Sequence, residues 1–114
     1  MRGHFRMDDA LVATRAMLAG PGEPPTAVFA CSDVIALGVY RALAEHGLRV
    51  PDEVSVVGFD DSLAAAYATP GLTTVRRSWP EPGEAALDAL FSGRPATRTE
   101  VPTALVVRSS TAAV

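Results

Sequence analysis

The sequence predicts an α/β protein in which a Rossmann-like parallel sheet is flanked by helices. Two short apolar runs, residues 27–31 and 54–59, are bounded by proline, serine and aspartate, as buried strands often are. The segment between them, residues 33–46, repeats its apolar residues with the period of a helix. Strand, helix and strand form a βαβ unit, whose right-handed crossover makes the strands parallel and brings their carboxyl ends to one edge.

Composition places the chain among soluble globular proteins of one domain. Its 114 residues are 48% hydrophobic and 20% charged, which is enough to form one modest core. No apolar run has the length of a membrane span, and no apolar signal segment follows the first basic residues, so we expect a cytoplasmic protein without membrane contact. With one cysteine and two histidines, neither a metal nor another cofactor is expected.

The charge distribution argues against direct DNA binding. The net charge is −3, and the ten basic residues are all arginines that are spread along the chain instead of forming one patch. The absence of lysine also argues against a phosphoacceptor receiver domain, which needs a lysine to contact the phosphoryl group. No nucleophile, base and orienting group occur at a recognisable spacing, so we do not expect an enzyme.

The other elements follow from periodicity and from helix-ending residues. Residues 7–19 are predicted to form the first helix, which Gly20-Pro21 ends. One face of that helix consists of Met7, Leu11, Thr14 and Leu18. After the second strand, the predicted elements are a short helix at 62–68, a strand at 72–75, a helix at 84–91 and a strand at 105–107.

The second predicted helix, residues 33–46, carries apolar side chains on two faces. Ser32 or Asp33 can cap its start, and Gly47 has the position of a left-handed cap at its end. A helix that packs with one side only does not need a second apolar face, so we expect a further contact there. One face consists of Ile35, Val39, Ala42 and Leu43, and the other of Val34, Leu37, Tyr40 and Ala44.

A ligand site is expected at the carboxyl edge of the sheet, where helix N-termini and loop side chains converge. Ser32 and Asp33 follow the first strand, and Asp60 and Asp61 follow the second. Carboxylates accept hydrogen bonds and helix amides donate them, so this edge suits a neutral polyhydroxylated ligand. The same residue types are also ordinary helix caps and turn formers, and both interpretations are open at this point.

Two further side chains have a structural and a functional interpretation. Trp79, the only tryptophan, either packs in the core or stacks on the face of a sugar. Cys31 is expected to be a small core residue at the end of the first strand. No histidine or lysine lies near it in the sequence to activate the thiol.

Three blocks between residues 25 and 111 resemble the LacI/GalR family of transcription regulators. The first block, residues 25–38, includes Ser32-Asp33; the second, residues 47–61, ends in Val-Gly-Phe-Asp-Asp; the third, residues 70–76, contains Leu-Thr-Thr-Val-Arg. Gly83 and the segment 102–108 support them. The order and spacing of the blocks carry the resemblance, since each short piece alone is weak.

The resemblance implies that the chain is the C-terminal half of a truncated effector-binding domain with the type I periplasmic-binding-protein-like fold. Such a half serves in ligand sensing and dimerisation of a regulator that binds a sugar or a related small molecule, and it reaches operator DNA only through a headpiece absent from this chain. Residues 1–114 would form one partial domain, of which about 79–100 belong to the absent N-terminal half. The alternative is a part of a transporter's periplasmic sugar-binding protein, which shares the fold.

The resemblance also implies which residues contact the effector. Members of the family commonly have asparagine at the position of Ser32 and glutamine at that of Arg77. An arginine there indicates a more acidic ligand, such as a sugar phosphate or a sugar acid, or else it is a solvated side chain of the connection. The implied contacts are Ser32, Phe59, Asp60, Arg77 and Trp79.

Family members are dimers that pack this half against its twin, partly through the helix after Ser32-Asp33. The implied interface residues are Val34, Leu37, Tyr40 and Tyr67, which suits the second apolar face of that helix. The helix at 84–91 would pack on the absent half. Its apolar side chains, Leu87, Leu90 and Phe91, would therefore lack cover, and we expect marginal stability or dimerisation.

Overall fold

The computed structural model of this chain describes residues 6–77, 81–93 and 100–113. Within these ranges every predicted helix and strand is present, with bounds that differ by a few residues. The elements are α1 Met7–Leu18, β1 Ala27–Phe29, α2 Asp33–Glu45, β2 Ser55–Phe59, α3 Leu63–Tyr67, β3 Thr73–Arg77, α4 Glu81–Phe91 and β4 Thr103–Val106. None of the helices in the described ranges has the length and apolar character needed to cross a membrane.

The four strands form one open sheet in the order β1-β2-β3-β4. The βαβ prediction is confirmed, because β1 pairs in parallel with β2, and β2 pairs in parallel with β3. The direction of the last strand was not predicted: β4 runs antiparallel to β3, with Thr74 opposite Val106. The sheet therefore ends in an antiparallel ribbon, and the chain between its two strands contains α4.

The core lies between α2 and the sheet. Its largest fully buried apolar side chains are Leu43, Val54, Val56 and Leu72. On another side, α2 packs closely on α1: a Cβ built on Gly38 would lie 2.3 Å from the carbonyl oxygen of Met7. A side chain at position 38 would push the two helices apart, so this glycine permits their approach.

The predicted second apolar face of α2 is only partly covered. The side chains of Leu37 and Tyr40 are half-buried, while Val34 is 48% exposed. Tyr67, at the end of α3, is 84% exposed. The structure therefore leaves these four interface candidates accessible to different degrees.

Two burial predictions for the first strand are wrong. Phe29 is exposed, because β1 is an edge strand of three residues instead of a strand covered on both sides. Cys31 is also exposed, since β1 ends at Phe29 and the thiol lies in the connection to α2. The apolar composition of the run indicated burial that this chain alone does not provide.

Three apolar side chains of the last helix, α4, are expected from the sequence to lack apolar cover. Leu87, Leu90 and Phe91 of α4 are 57%, 72% and 79% exposed. The amphipathic pattern of α4 thus has no matching surface within the described residues.

Candidate functional site

The connection from β1 to α2 places Ser32 at the start of the helix. Its backbone is extended and its Oγ accepts a hydrogen bond from the Ile35 amide at 3.3 Å, which is the geometry of an N-cap. The side chain is buried. Of the two interpretations of Ser32, capping is therefore observed, and effector contact stays a prediction.

Asp33 connects three elements at the carboxyl edge. Its carboxylate is almost completely buried and accepts hydrogen bonds from the Ser62 amide at 2.7 Å and from the Thr74 hydroxyl at 2.6 Å. A Cβ on Gly58 would lie 2.4 Å from Asp33 Oδ1, so only glycine at position 58 leaves room for this carboxylate. The sequence pattern left the cap open between Ser32 and Asp33; Ser32 takes that role, and the buried Asp33 carboxylate links α2 to β3 and to the start of α3.

The turn after β2 bends sharply at two aspartates. Asp60 has φ 118° and Asp61 has φ 53°, which are unfavourable angles for residues with a Cβ, although aspartate tolerates the left-handed region better than most. The Asp60 amide donates to the Val75 carbonyl at 2.9 Å. The Asp61 amide donates to the Thr74 hydroxyl at 3.4 Å. These bonds fix the turn against β3.

The two adjacent carboxylates face different partners. Asp61 is 10% exposed and accepts hydrogen bonds from Arg76 at 2.5 Å and from Arg108 at 2.6 Å. Burial acts to raise the pKa of Asp61, but the hydrogen bonds from Arg108 and Arg76 outweigh it and lower the pKa below its usual value. Asp60 is 38% exposed and pairs with Arg77 at 2.6 Å. Asp60 is therefore the carboxylate that a ligand can reach.

Phe59, Asp60 and Arg77 form one cluster at the carboxyl ends of β2 and β3. The Arg77 guanidinium carbon lies 5.5 Å from the centre of the Phe59 ring, within the range of a cation–π contact, while Nη2 donates to Asp60 Oδ1. These three predicted effector contacts are thus brought together. Trp79, another predicted contact, lies outside the described residues.

The cluster is suited to hydrogen bonding. It offers carboxylate acceptors, guanidinium donors and one aromatic face. In the parts of the chain that the structure describes, no group of three or more histidine, cysteine, aspartate or glutamate side chains is placed to hold a metal ion.

A cavity of about 250 Å³ lies at the other end of α2. It is bounded by Tyr40 and Ala44 of the helix, by Leu48 and Val50 after it, and by the Thr69-Pro70 segment. The Tyr40 hydroxyl donates to the Pro70 carbonyl at 3.1 Å. Burial raises the pKa of this phenol. Tyr40, an interface candidate, is thus partly engaged within its own chain.

Residues 2–111 match the model of a protein family described as the periplasmic binding protein-like domain. The chain belongs to this family. Among curated relatives, the HTH-type transcriptional regulator MalR of Streptomyces coelicolor is 50% identical over 97 residues, which are 80% of this chain and 28% of MalR. The chain spans about a third or less of the length of the curated relatives it matches.

Solved structures of periplasmic binding protein-like domains match over nearly the whole chain. The Lac repressor dimer bound to operator and the anti-inducer ONPF superposes with a TM-score of 0.87 at 34% identity, covering 97% of this chain and 40% of that one. A LacI family regulator of Enterococcus faecium with bound ribose gives a TM-score of 0.79 at 30% identity, covering 96% and 42%. The predicted family and fold are confirmed.

Sequence reasoning missed the residues that hold the site together. Arg76, Arg108 and Thr74 stand in the sequence only as members of the segments that carry the family resemblance, yet they anchor the aspartate turn. The signal available in the sequence was weak: an arginine forty-seven positions from its aspartate partner has no periodicity that connects the two. Their contact depends on the antiparallel return of β4, which the sequence pattern did not specify.

Proposed function

We propose that this chain is the ligand-sensing part of a LacI-family transcription regulator, and that its effector binds at the carboxyl edge of the sheet. The observation that carries the proposal is Asp60, an accessible carboxylate on a turn whose two aspartate amides are hydrogen-bonded to β3. An acceptor held in this way can select ligand hydroxyls by direction. Relatives of the same fold hold ribose in one structure and an anti-inducer in another, which supports a small-molecule effector here.

The pairing of Arg77 favours a neutral effector over the acidic one that its charge alone indicated. Since the guanidinium is bound to Asp60 and lies over Phe59, the two formal charges offset each other. An anionic ligand would compete with Asp60 for Arg77. A sugar hydroxyl can donate a hydrogen bond to the carboxylate, and another can accept one from the guanidinium, while the pair persists. An acidic sugar derivative is the second candidate, because Arg77 also reaches solvent.

Titration of the isotope-labelled chain with ribose, glucose and ribose phosphate, followed by amide chemical shifts, tests the site and its ligand class. We expect a neutral sugar to shift the amides of Asp60, Asp61 and Arg77. Asp60→Asn should weaken that binding by about tenfold or more, the effect of losing a charged hydrogen bond. Asp52→Asn, at an exposed aspartate outside the site, is the matched control.

The outcomes are distinct. Tighter binding of ribose phosphate than of ribose would favour the acidic candidate. Shifts confined to residues away from the carboxyl edge, or none with any of the three compounds, would contradict the proposed site.

The regulator role also includes parts outside this sheet. We infer that residues 79–100, including α4, pack on a second half-domain; the exposed side chains of Leu87, Leu90 and Phe91 support this.

Operator contact is assigned to a headpiece outside the 114 residues, because the chain itself has net charge −3. We also infer that the chain acts in the cytoplasm and without catalysis, since its relatives are transcription regulators. A gel-shift assay should show no operator binding by this chain.

A homodimer is the proposed assembly, with Val34, Leu37, Tyr40 and Tyr67 at its interface. The exposure of Val34 and Tyr67 on neighbouring helices supports this surface, as does the partly uncovered second face of α2. The Lac repressor structure that this chain resembles is itself a dimer.

A further inference from the structure

We infer that Arg108 is a positioning residue for effector binding: it fixes Asp61 and thereby aims Asp60. The inference rests on the proposed function of Asp60, and it assigns a role to a residue outside the predicted site. Arg108 follows β4, near the end of the chain, while its partner lies in the turn after β2. One side chain thus connects the last segment of the chain to the effector turn.

The turn needs an anchor because of its backbone. Two consecutive residues with a Cβ have positive φ, and such conformations persist only where surrounding contacts impose them. The contacts of Asp60 are with β3: its carboxylate pairs with Arg77, and its amide donates to the Val75 carbonyl. They restrain Asp60 relative to that strand alone. An effector that donates a hydrogen bond to the Asp60 carboxylate shares that carboxylate with Arg77, so binding depends on the direction in which the turn holds Asp60. The geometry of the bound state then depends on the neighbouring Asp61.

Arg108 is the stronger of the two restraints on Asp61. Its side chain is 20% exposed, against 58% for Arg76 on the other carboxylate oxygen. Its Nη1 donates to the Leu72 carbonyl at 2.8 Å, so the guanidinium is held at two points. Its stem packs over Gly71, where a Cβ would lie 3.5 Å from Arg108 Cδ. A partly buried guanidinium with two hydrogen-bond partners holds its carboxylate more firmly than an exposed one does.

The segment that carries Arg108 is anchored independently of its side chain. The Ser110 hydroxyl donates to the Val56 carbonyl at 2.6 Å and accepts from the Thr73 amide at 2.7 Å. The Val56 amide donates to the Ser110 carbonyl at 2.9 Å. Ser110 is fully buried between β2 and β3. Removing the guanidinium should therefore release the turn while the segment stays in place.

Amide hydrogen exchange on Arg108→Gln tests this role without a ligand. We expect the Asp60 and Asp61 amides to exchange about tenfold faster or more, as the loss of a charged hydrogen bond predicts. The Val56 amide in the core should keep its rate. Arg108→Lys should restore part of the protection, and Arg41→Gln, which removes an exposed arginine paired with Glu45, should change neither amide.

Ribose or glucose, whichever binds more tightly to the unmodified chain, is then titrated into the same variants. Weaker binding by Arg108→Gln together with faster exchange at the turn supports the positioning role. Unchanged exchange at Asp60 and Asp61 overturns it, and so does an equal rise at Val56, which would make Arg108 a general stabiliser. Absence of binding by the unmodified chain would instead count against the proposed function, while the exchange rates still decide whether Arg108 holds the turn.

Discussion

The helices α2 and α4 have similar lengths, 13 and 11 residues, and both have an amphipathic pattern, but the chain covers them very differently. Leu43 of α2 is fully buried between the sheet and its own helix. Leu90 of α4 is largely exposed. An apolar helix face predicts that the face is buried, but it does not identify the element that packs against it. In this chain, one helix is covered within the domain, and the other exposes its apolar face among the described residues.

Truncation of the two leucines gives the largest expected contrast. Leu43→Ala should lower the free energy of unfolding by about 3 kcal/mol, because it leaves a cavity in the core. Leu90→Ala should change it by less than about 0.5 kcal/mol, as for other exposed positions. Urea denaturation followed by circular dichroism measures both. A similar loss for the two variants would mean that α4 is packed in solution, contrary to the structure.

Two glycines sharpen the same comparison. Gly58→Ala places a methyl group against Asp33 and Leu72, and we expect a cost of about 2 kcal/mol from overpacking. Gly83→Ala, in α4, has no atom within 4 Å of the new methyl group and should not destabilise the chain. Thermal unfolding of the two variants is the measurement. Tolerance of alanine at position 58 would contradict the close contact with the Asp33 carboxylate.

Removal of the cap on α2 should have a moderate effect. Ser32→Ala deletes the acceptor for the Ile35 amide, and loss of such a cap costs about 1 kcal/mol. Ser109→Ala, at an exposed position after β4, is the control. The denaturation midpoint should fall only for the first variant. If sugar binding also falls for Ser32→Ala, the hydroxyl has the predicted effector role in addition to its cap.

Lowering the pH should destabilise the fold in part by protonating Asp61. Its pKa is lower in the folded chain than the usual 3.8, so the unfolded chain binds this proton more tightly. The stabilisation is complete above the usual pKa and is lost as the pH falls through the lower folded value. Urea denaturation at neutral pH and at values below 3.8 should show a shallower acid loss for Asp61→Asn than for the unmodified chain.

The pKa values of Glu45 and Glu53 are also lowered by their arginine partners. These groups titrate in both proteins, so their contribution cancels in the comparison. Equal acid loss with and without the Asp61 carboxylate would show that its arginine bonds do not stabilise the fold.

Local patterns were enough to predict each helix and strand, because helical period, β-rich runs and caps act over a few residues. They also placed Asp60 at the correct edge of the sheet. They did not reveal that β4 runs antiparallel or that Phe29 lies on an exposed edge, since strand order depends on distant pairing. The ties from Asp33 to Thr74 and from Asp61 to Arg108 span more than forty residues, and no local signal encodes them.

We propose that the apolar surfaces which this chain leaves uncovered bind partners. The second face of α2 provides the most direct test. Sedimentation equilibrium of the chain, of Leu37→Arg and of Val12→Arg, an exposed valine on α1, is the measurement. We predict a dimer for the chain and for Val12→Arg, and a folded monomer for Leu37→Arg. A folded monomer in all three cases, or a dimer that Leu37→Arg leaves intact, would contradict the proposed interface.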